Sequence, residues 1–395
     1  MNRSLLSAAT CALLLGVSPL CAQTTLQNKN SLNPAISLIL NGRYFHNDVS
    51  TDAYRLDGFL ANPDAGLGSQ GLSLGESELT MSANVDPRFF AQTTLSFDGD
   101  PEAAGAGVEE AFVQTLGLGS GLNVKMGRFF SAMGYLNEQH AHAWDFSDAP
   151  LVYRALFGNQ LQVDGLQVSA LLPTDRFMQL GVEASSGSHF PASGVNNGVG
   201  AWSLFYNIGD DWGLSHSWQL GLNYWQADSV MDRQSVGLQS DLLFSGKSRI
   251  GSLDFVYKWA PNGNPINQNF KLQFEYFDRH EEGNLQVMQA ASDYRGEQRG
   301  WYLEGLYQWN PQWTVGVRYD RLSSDNRGSN GALLAREAIV SQQQPQRYSL
   351  MLSWAGSEFS HIRMQYNRDD SYQQGDNQLF LHYIVSVGSH GAHQY

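Results

Sequence analysis

The sequence predicts an all-β chain, a transmembrane antiparallel β-barrel of about sixteen strands. Three observations carry that expectation. Apolar residues recur at every second position over stretches of about ten residues. The connections between those stretches alternate between short and long. The chain has 40 glycines and 12% aromatic residues, yet no stretch approaches the ~18–20 consecutive apolar residues of a spanning helix.

Residues 1–22 read as a secretory signal. Arg3 supplies a positive start, Leu5 to Val17 a short apolar run, Pro19 a break and Ala22 a cleavage point. Both cysteines, Cys11 and Cys21, lie inside it. The cleaved chain therefore has neither disulfides nor thiolate zinc ligands. Without Arg3, 23 basic and 38 acidic residues remain, a balance of −15. No basic run invites nucleic acid. Residues 23–33 read as a short periplasmic lead, 34–388 as the barrel and 389–395 as a tail.

Strands are expected near 34–45, 76–85, 88–98, 108–116, 121–128, 160–171, 177–185, 200–208, 216–227, 250–259, 269–279, 300–309, 312–322, 347–355, 358–368 and 377–388. In one of them Phe270, Leu272, Phe274 and Tyr276 alternate with Lys271, Gln273 and Glu275. In the next, Trp301, Leu303, Gly305, Tyr307 and Trp309 alternate with Tyr302, Glu304 and Gln308. A soluble sandwich also alternates. Its strands average about five or six residues, however, and its core face seldom carries aromatics at both ends. Here Trp301 and Trp309 bracket the apolar middle, as an interfacial girdle does.

The segments VDPR, GLGSG, LPTDR, NPQ and AGS read as short periplasmic turns. Residues 46–75, 128–159, 228–249, 280–299 and 323–346 read as long outer loops. Because the first connection is long, strand one runs outward and both termini stay periplasmic.

Sixteen strands enclose a lumen too wide for wall side chains to fill, so an aqueous channel is expected. The inferred wall residues include Glu76, Glu78, Lys125, Lys271, Glu275, Glu304, Arg318, Asp320 and Arg363. Facing lipid, such charges would be prohibitive; facing water, they are not. Most of them serve plain solvation of the lumen.

The third long connection stands apart. Its run MGRFFSAMGYLNEQHAHAWDFSDAPLVYRALFGNQLQVDG, with VEEAFVQ before it, resembles the phosphate-selective porin family of outer-membrane channels. The recognisable motifs lie between about 76 and 170. The resemblance implies a homotrimer whose third outer loop folds into the lumen and narrows it. Arg128, Glu138, His140, His142, Asp145, Asp148 and Arg154 would then line the constriction. One departure matters. Phosphate-selective members line the pore with arginine and lysine, whereas this chain is acidic. A lumen of that sign favours cations mildly, so phosphate selectivity is not carried over. EQHAHAWDF and the ending HGAHQY also give a weaker similarity to zinc-regulated outer-membrane porins and receptors.

Glu138, His140 and His142 are spaced i, i+2, i+4, which on an extended backbone places them on one side. With no fourth ligand evident, they could bind zinc weakly, and lining a wet loop is the favoured reading. His390 and His393 are a second low-affinity candidate, with a solvated tail favoured there. No cofactor is otherwise expected.

The leading function is passive diffusion of small hydrophilic solutes or ions across the outer membrane. A zinc-linked uptake protein or receptor-like transporter is the alternative. Receptors of the TonB-dependent type need about twenty-two strands and a plug domain. An enzyme is not expected. Ser360 and His361 are adjacent, so a strand turns them to opposite faces, and no nucleophile elbow or phosphate loop stands in a usable context.

Overall fold

The computed structural model describes residues 34–388 apart from 52–53, 63–64, 99–104, 193, 195–196, 231–241 and 372–374. The expected signal, the lead over 23–33 and the tail with His390 and His393 lie outside the described residues.

Seventeen strands form among them: β1 (Ala35–Asn47), β2 (Gly71–Leu74), β3 (Ser77–Asp86), β4 (Phe89–Asp98), β5 (Gly105–Thr115), β6 (Leu122–Phe130), β7 (Gln162–Leu171), β8 (Phe177–Ser185), β9 (Ala201–Trp212), β10 (His216–Val230), β11 (Leu242–Trp259), β12 (Asn269–Val287), β13 (Ala290–Asn310), β14 (Trp313–Arg327), β15 (Gln346–Ser357), β16 (Ser360–Asp369) and β17 (Asp376–Gly388). Each strand from β3 to β16 pairs antiparallel with its successor. β1 closes the ring, pairing with β17 on one side and with β2 and β3 on the other. β2 and β3 are two pieces of one position in the wall, so the circumference holds sixteen strands. Closure leaves no open sheet edge, which a lipid environment requires.

The expected alternation is the alternation observed. Leu303, Val317, Leu350 and Leu381 turn outward and are exposed. Their neighbours Glu304, Arg318, Ser349 and His382 turn inward and are buried. Trp309 and Trp354 stand exposed near the periplasmic ends of β13 and β15.

One expected loop, and the described part of another, are strand instead. Residues 280–299 belong to β12 and β13, joined by a turn at residues 288–289 alone. Above the apolar band the outward positions become Asp278, His280 and Glu282, so the contrast between faces that marks a strand disappears. Leu242 and Phe244, expected in a loop, begin β11 and are buried.

The outer half of the lumen holds more than wall side chains. Loop L1 (residues 48–70), loop L3 (131–161) and loop L7 (328–345) fold into its outer half. Tyr54, Leu56, Phe59 and Leu60 of L1, Met133, Leu136 and Trp144 of L3, and Leu333 and Leu334 of L7 join Trp225, Phe244, Phe277 and Leu322 of the wall in one apolar core. The wall members of this core sit at the strand ends that carry the long connections. The earlier expectation counted wall side chains and left out what the loops bring. L3 holds a helix, α1 (Leu151–Phe157), every residue of which is buried. Pro150 precedes it, and Gly158, at φ 63°, ends it in the left-handed conformation that glycine adopts without penalty. L7 holds α2 (Gly331–Arg336), started by the Asn330 side chain accepting from the Leu333 amide.

Candidate constriction loop and its two anchors

L3 crosses the lumen and is pinned to the wall at both ends of the crossing. Two irregularities in the wall build the near anchor. Thr94 pairs with Glu110 and Leu95 with Val108, so Glu109 is one residue too many. This bulge turns two consecutive glutamates inward, where strict alternation would turn one. Both are buried. Beside it, Gly42 pairs with Leu74 while Ile39 pairs with Glu78. Two residues of β1 therefore face three across the break between β2 and β3. Glu76, Glu78 and Glu109 converge there, with carboxylate oxygens within 4.8 Å of one another.

L3 brings two imidazoles to these carboxylates. His140 Nδ1 lies 3.0 Å from Glu78 and 3.1 Å from Glu109, and its Nε2 lies 3.0 Å from Glu110. His142 Nδ1 is 2.6 Å from Glu78. A single 3₁₀ turn over Ala141–Ala143 sets the two rings 5.8 Å apart. Phe130 meets His140 edge-on at 5.5 Å. Burial works against a charge on His140, but Glu78, Glu109 and Glu110 outweigh it and hold its ring well above the ordinary imidazole range. Glu138 does not take part. It is exposed and stands outside the cluster. The i, i+2, i+4 argument assumed extended backbone, and the 3₁₀ turn breaks that periodicity.

The far anchor is built around Asp148. Arg318 and Arg347 donate to its two oxygens at 2.7 and 2.6 Å, and Arg154 of α1 lies 3.6 Å away. Gln365 and Asn367 donate at 2.7 and 3.1 Å. Asp320 links Arg318 and Arg347 at 3.1 and 3.3 Å and accepts from the Leu151 amide at 2.9 Å. Burial alone would raise the Asp148 carboxyl. The Arg347, Arg318 and Arg154 guanidiniums overcome it and hold the group below the usual carboxylate range.

Between the anchors, Glu275 of β12 accepts from the Leu136 amide, from Tyr153 Oη at 2.8 Å and from Tyr302 Oη at 2.6 Å. Lys271 reaches Asp145 of L3. Lys125 sits over the Phe112 and Phe129 rings at 5.0 and 5.2 Å. Glu304 is buried on the inner wall, as is Arg363, which approaches His361 at 3.5 Å.

Six of the seven residues expected at the constriction lie in L3. Arg128 does not belong with them. It follows the outward parity of Met126 on β6 and forms a bidentate pair with Asp164 at 2.7 and 2.9 Å. The inward neighbours on that strand are Lys125 and Phe129. Sequence reasoning missed Glu109, Glu110, Arg347, Gln365 and Asn367. Parity could have found Arg347, because Tyr348 and Leu350 alternate as apolar positions along the chain and are exposed, and Arg347 stands one residue before them. Nothing in the string VEEAFVQ announces a bulge.

A cavity of about 260 Å³ lies among L1, L3 and the outer ends of β4 and β5. Asn62, Glu109, Gln160, Gln162 and His189 line it, so one wall belongs to the near anchor.

No family model matches the chain. An uncharacterized protein of Aquifex aeolicus (strain VF5) is 26% identical over 352 residues, covering 82% of this chain and 70% of that protein. Among solved structures, the trimer form of OmpT, an outer membrane protein of Vibrio cholerae, superposes with a TM-score of 0.54 at 8% identity, over 90% of this chain and 99% of that one. The anion-selective porin from Comamonas acidovorans gives 0.52 at 11% identity, over 90% and 99%. The outer membrane channel DcaP of Acinetobacter baumannii gives 0.52 at 11%, over 90% and 97%. What the chain shares with them is the fold, and a closed antiparallel barrel of sixteen strands, here with an apolar outer face, is an architecture of the bacterial outer membrane. The chain folds as an outer-membrane β-barrel of the porin type.

Proposed function

We propose that the protein is a passive channel for small hydrophilic solutes or ions, working as a homotrimer. The observation that supports this most is L3 itself, a loop that crosses a closed sixteen-stranded barrel and is tied to both walls. Such a loop sets a pore by its radius and its field, and no bond needs to be made or broken. The motif resemblance over residues 76–170 supports the same reading, including the trimer.

A mild cation preference belongs to the proposal, although its basis is narrower than net charge. Asp148 and Asp320 are balanced by arginines, and Glu275 is held by two tyrosines. At the near anchor the four carboxyl groups Glu76, Glu78, Glu109 and Glu110 outnumber His140, His142 and Lys125. A surplus of that sign raises the local concentration of cations.

Planar-bilayer recording of the purified chain tests the function. Ohmic single-channel steps without an energy source are expected, with a reversal potential in a potassium chloride gradient that favours potassium. A chain that inserts and conducts nothing would overturn the channel reading. A reversal potential of opposite sign would overturn the selectivity alone.

A further inference from the structure

We propose that the near anchor is a binding site for a divalent transition-metal ion of the zinc class, with Glu78, His140 and His142 as ligands and Glu109 next to the open position.

The donor set comes first. Two imidazole nitrogens and a carboxylate are the mixture that suits zinc, and their ligating atoms lie within 4.8 Å of one another. Bonds of about 2.0–2.2 Å in a tetrahedron place neighbouring ligand atoms about 3.3 Å apart. His140 Nδ1 and His142 Nδ1 stand 3.0 and 2.6 Å from Glu78. Spreading by a few tenths of an ångström to somewhat more would admit the ion (order of magnitude from those bond lengths).

The second observation is independent of ligand spacing. His140 presents Nδ1 to Glu78 and Glu109 while its other nitrogen, Nε2, meets Glu110 at 3.0 Å. A carboxylate behind a ligating imidazole fixes its tautomer and orientation, and metal-bound histidines almost always give their second ring nitrogen such a partner, be it a carboxylate, a backbone carbonyl or a water. The bulge at Glu109 makes this possible. It turns one glutamate to the metal side of the ring and the next to the far side.

Charge supplies the third argument. Glu76, Glu78, Glu109 and Glu110 crowd one part of the wall, and Lys125 is the ammonium whose field reaches Glu110. Carboxylates taken out of water need compensating positive charge, from protons, paired cations or metal. A dication would supply it. The cavity of about 260 Å³ has Glu109 in its lining. A bound ion would staple L3 to β3. The site stands apart from the diffusion reading and does not require that any solute cross.

The experiment uses the full chain, folded in detergent micelles, stripped with a chelator and then dialysed against zinc chloride alone. About one zinc per chain is expected to be retained. The double variant H140A/H142A should weaken retention by about a hundredfold or more, and E78Q by at least about tenfold. E138Q, altered beside the cluster and outside it, should bind as the parent does. Cobalt in place of zinc should give the intense visible bands of a four-coordinate site, absent from the double variant. Heat-modifiable gel mobility reports barrel folding in each case, and E78Q carries the test should the double variant fail to fold. A parent chain that retains no zinc, or folded H140A/H142A or E78Q that retain it with unchanged affinity, would overturn the proposal.

Discussion

At its far anchor L3 offers one carboxylate, flanked by its own Arg154, to two arginines of the wall; at its near anchor it offers two imidazoles to a cluster of four carboxylates. The far anchor is balanced in the sense that each carboxylate there meets arginines, Asp148 meeting Arg154, Arg318 and Arg347 and Asp320 meeting Arg318 and Arg347, while Gln365 and Asn367 also donate to Asp148. The near anchor carries surplus negative charge, so its strength depends on what positive charge it recruits. One loop is therefore held by a fixture at one end and by a conditional contact at the other.

The largest effect should come from the balanced end. Asp148→Ala strands buried guanidiniums, a loss of about 3–5 kcal/mol. The lumen side of L3 should loosen, and single-channel conductance should rise with added current noise. A trace like the parent's would mean that the arginines do not hold the loop, and the contrast between anchors would fail.

Acidification approaches the same end more gently. The Asp148 carboxyl is depressed in the folded protein, so its contribution is fully present above the ordinary carboxylate pKa of about 4 and is lost as pH falls below that through the lowered value. Conductance noise should grow below about pH 4, and Asp148→Asn should be noisy already at neutral pH with a flatter response.

A smaller change is expected at the middle contact. Tyr153→Phe removes one donor to Glu275 while Tyr302 and the Leu136 amide remain. Amides of L3 should exchange faster by an amount equivalent to about 1 kcal/mol. The smallest effect belongs to the near anchor. Glu110→Gln relieves surplus charge while keeping a hydrogen-bonding group, and metal-free protein should change by less than about 1 kcal/mol. A loss as large as that of Asp148→Ala would show that the near anchor is balanced after all.

The wall was legible in the sequence because lipid enforces the pattern. All sixteen expected strands are present, and residues such as Leu303 and Leu350 face the side their parity assigned. Legibility ended where lipid ends. Over residues 278–284 neither face carries an apolar side chain, and a hairpin resembled a loop. The inserted core was hidden for a related reason. Leu56, Phe59 and Leu60 have no period to betray them, and their apolar partners lie far along the chain. At the site, L3 was found by resemblance and its histidines by spacing, while the partners that give them chemistry were not. Glu109 and Glu110 depend on a bulge, and Glu78 replaces Glu138 because a short 3₁₀ turn redirects the rings.

The reach of Asp148 also bears on how the molecule comes together. Its partners Arg318, Arg347 and Asn367 lie 170, 199 and 219 positions downstream. None of them can receive L3 until β14, β15 and β16 have taken their places, so the inner lining must settle after the ring. A half-assembled ring would hold an undocked, protease-sensitive strap, and cutting within 131–161 would report how far assembly had gone.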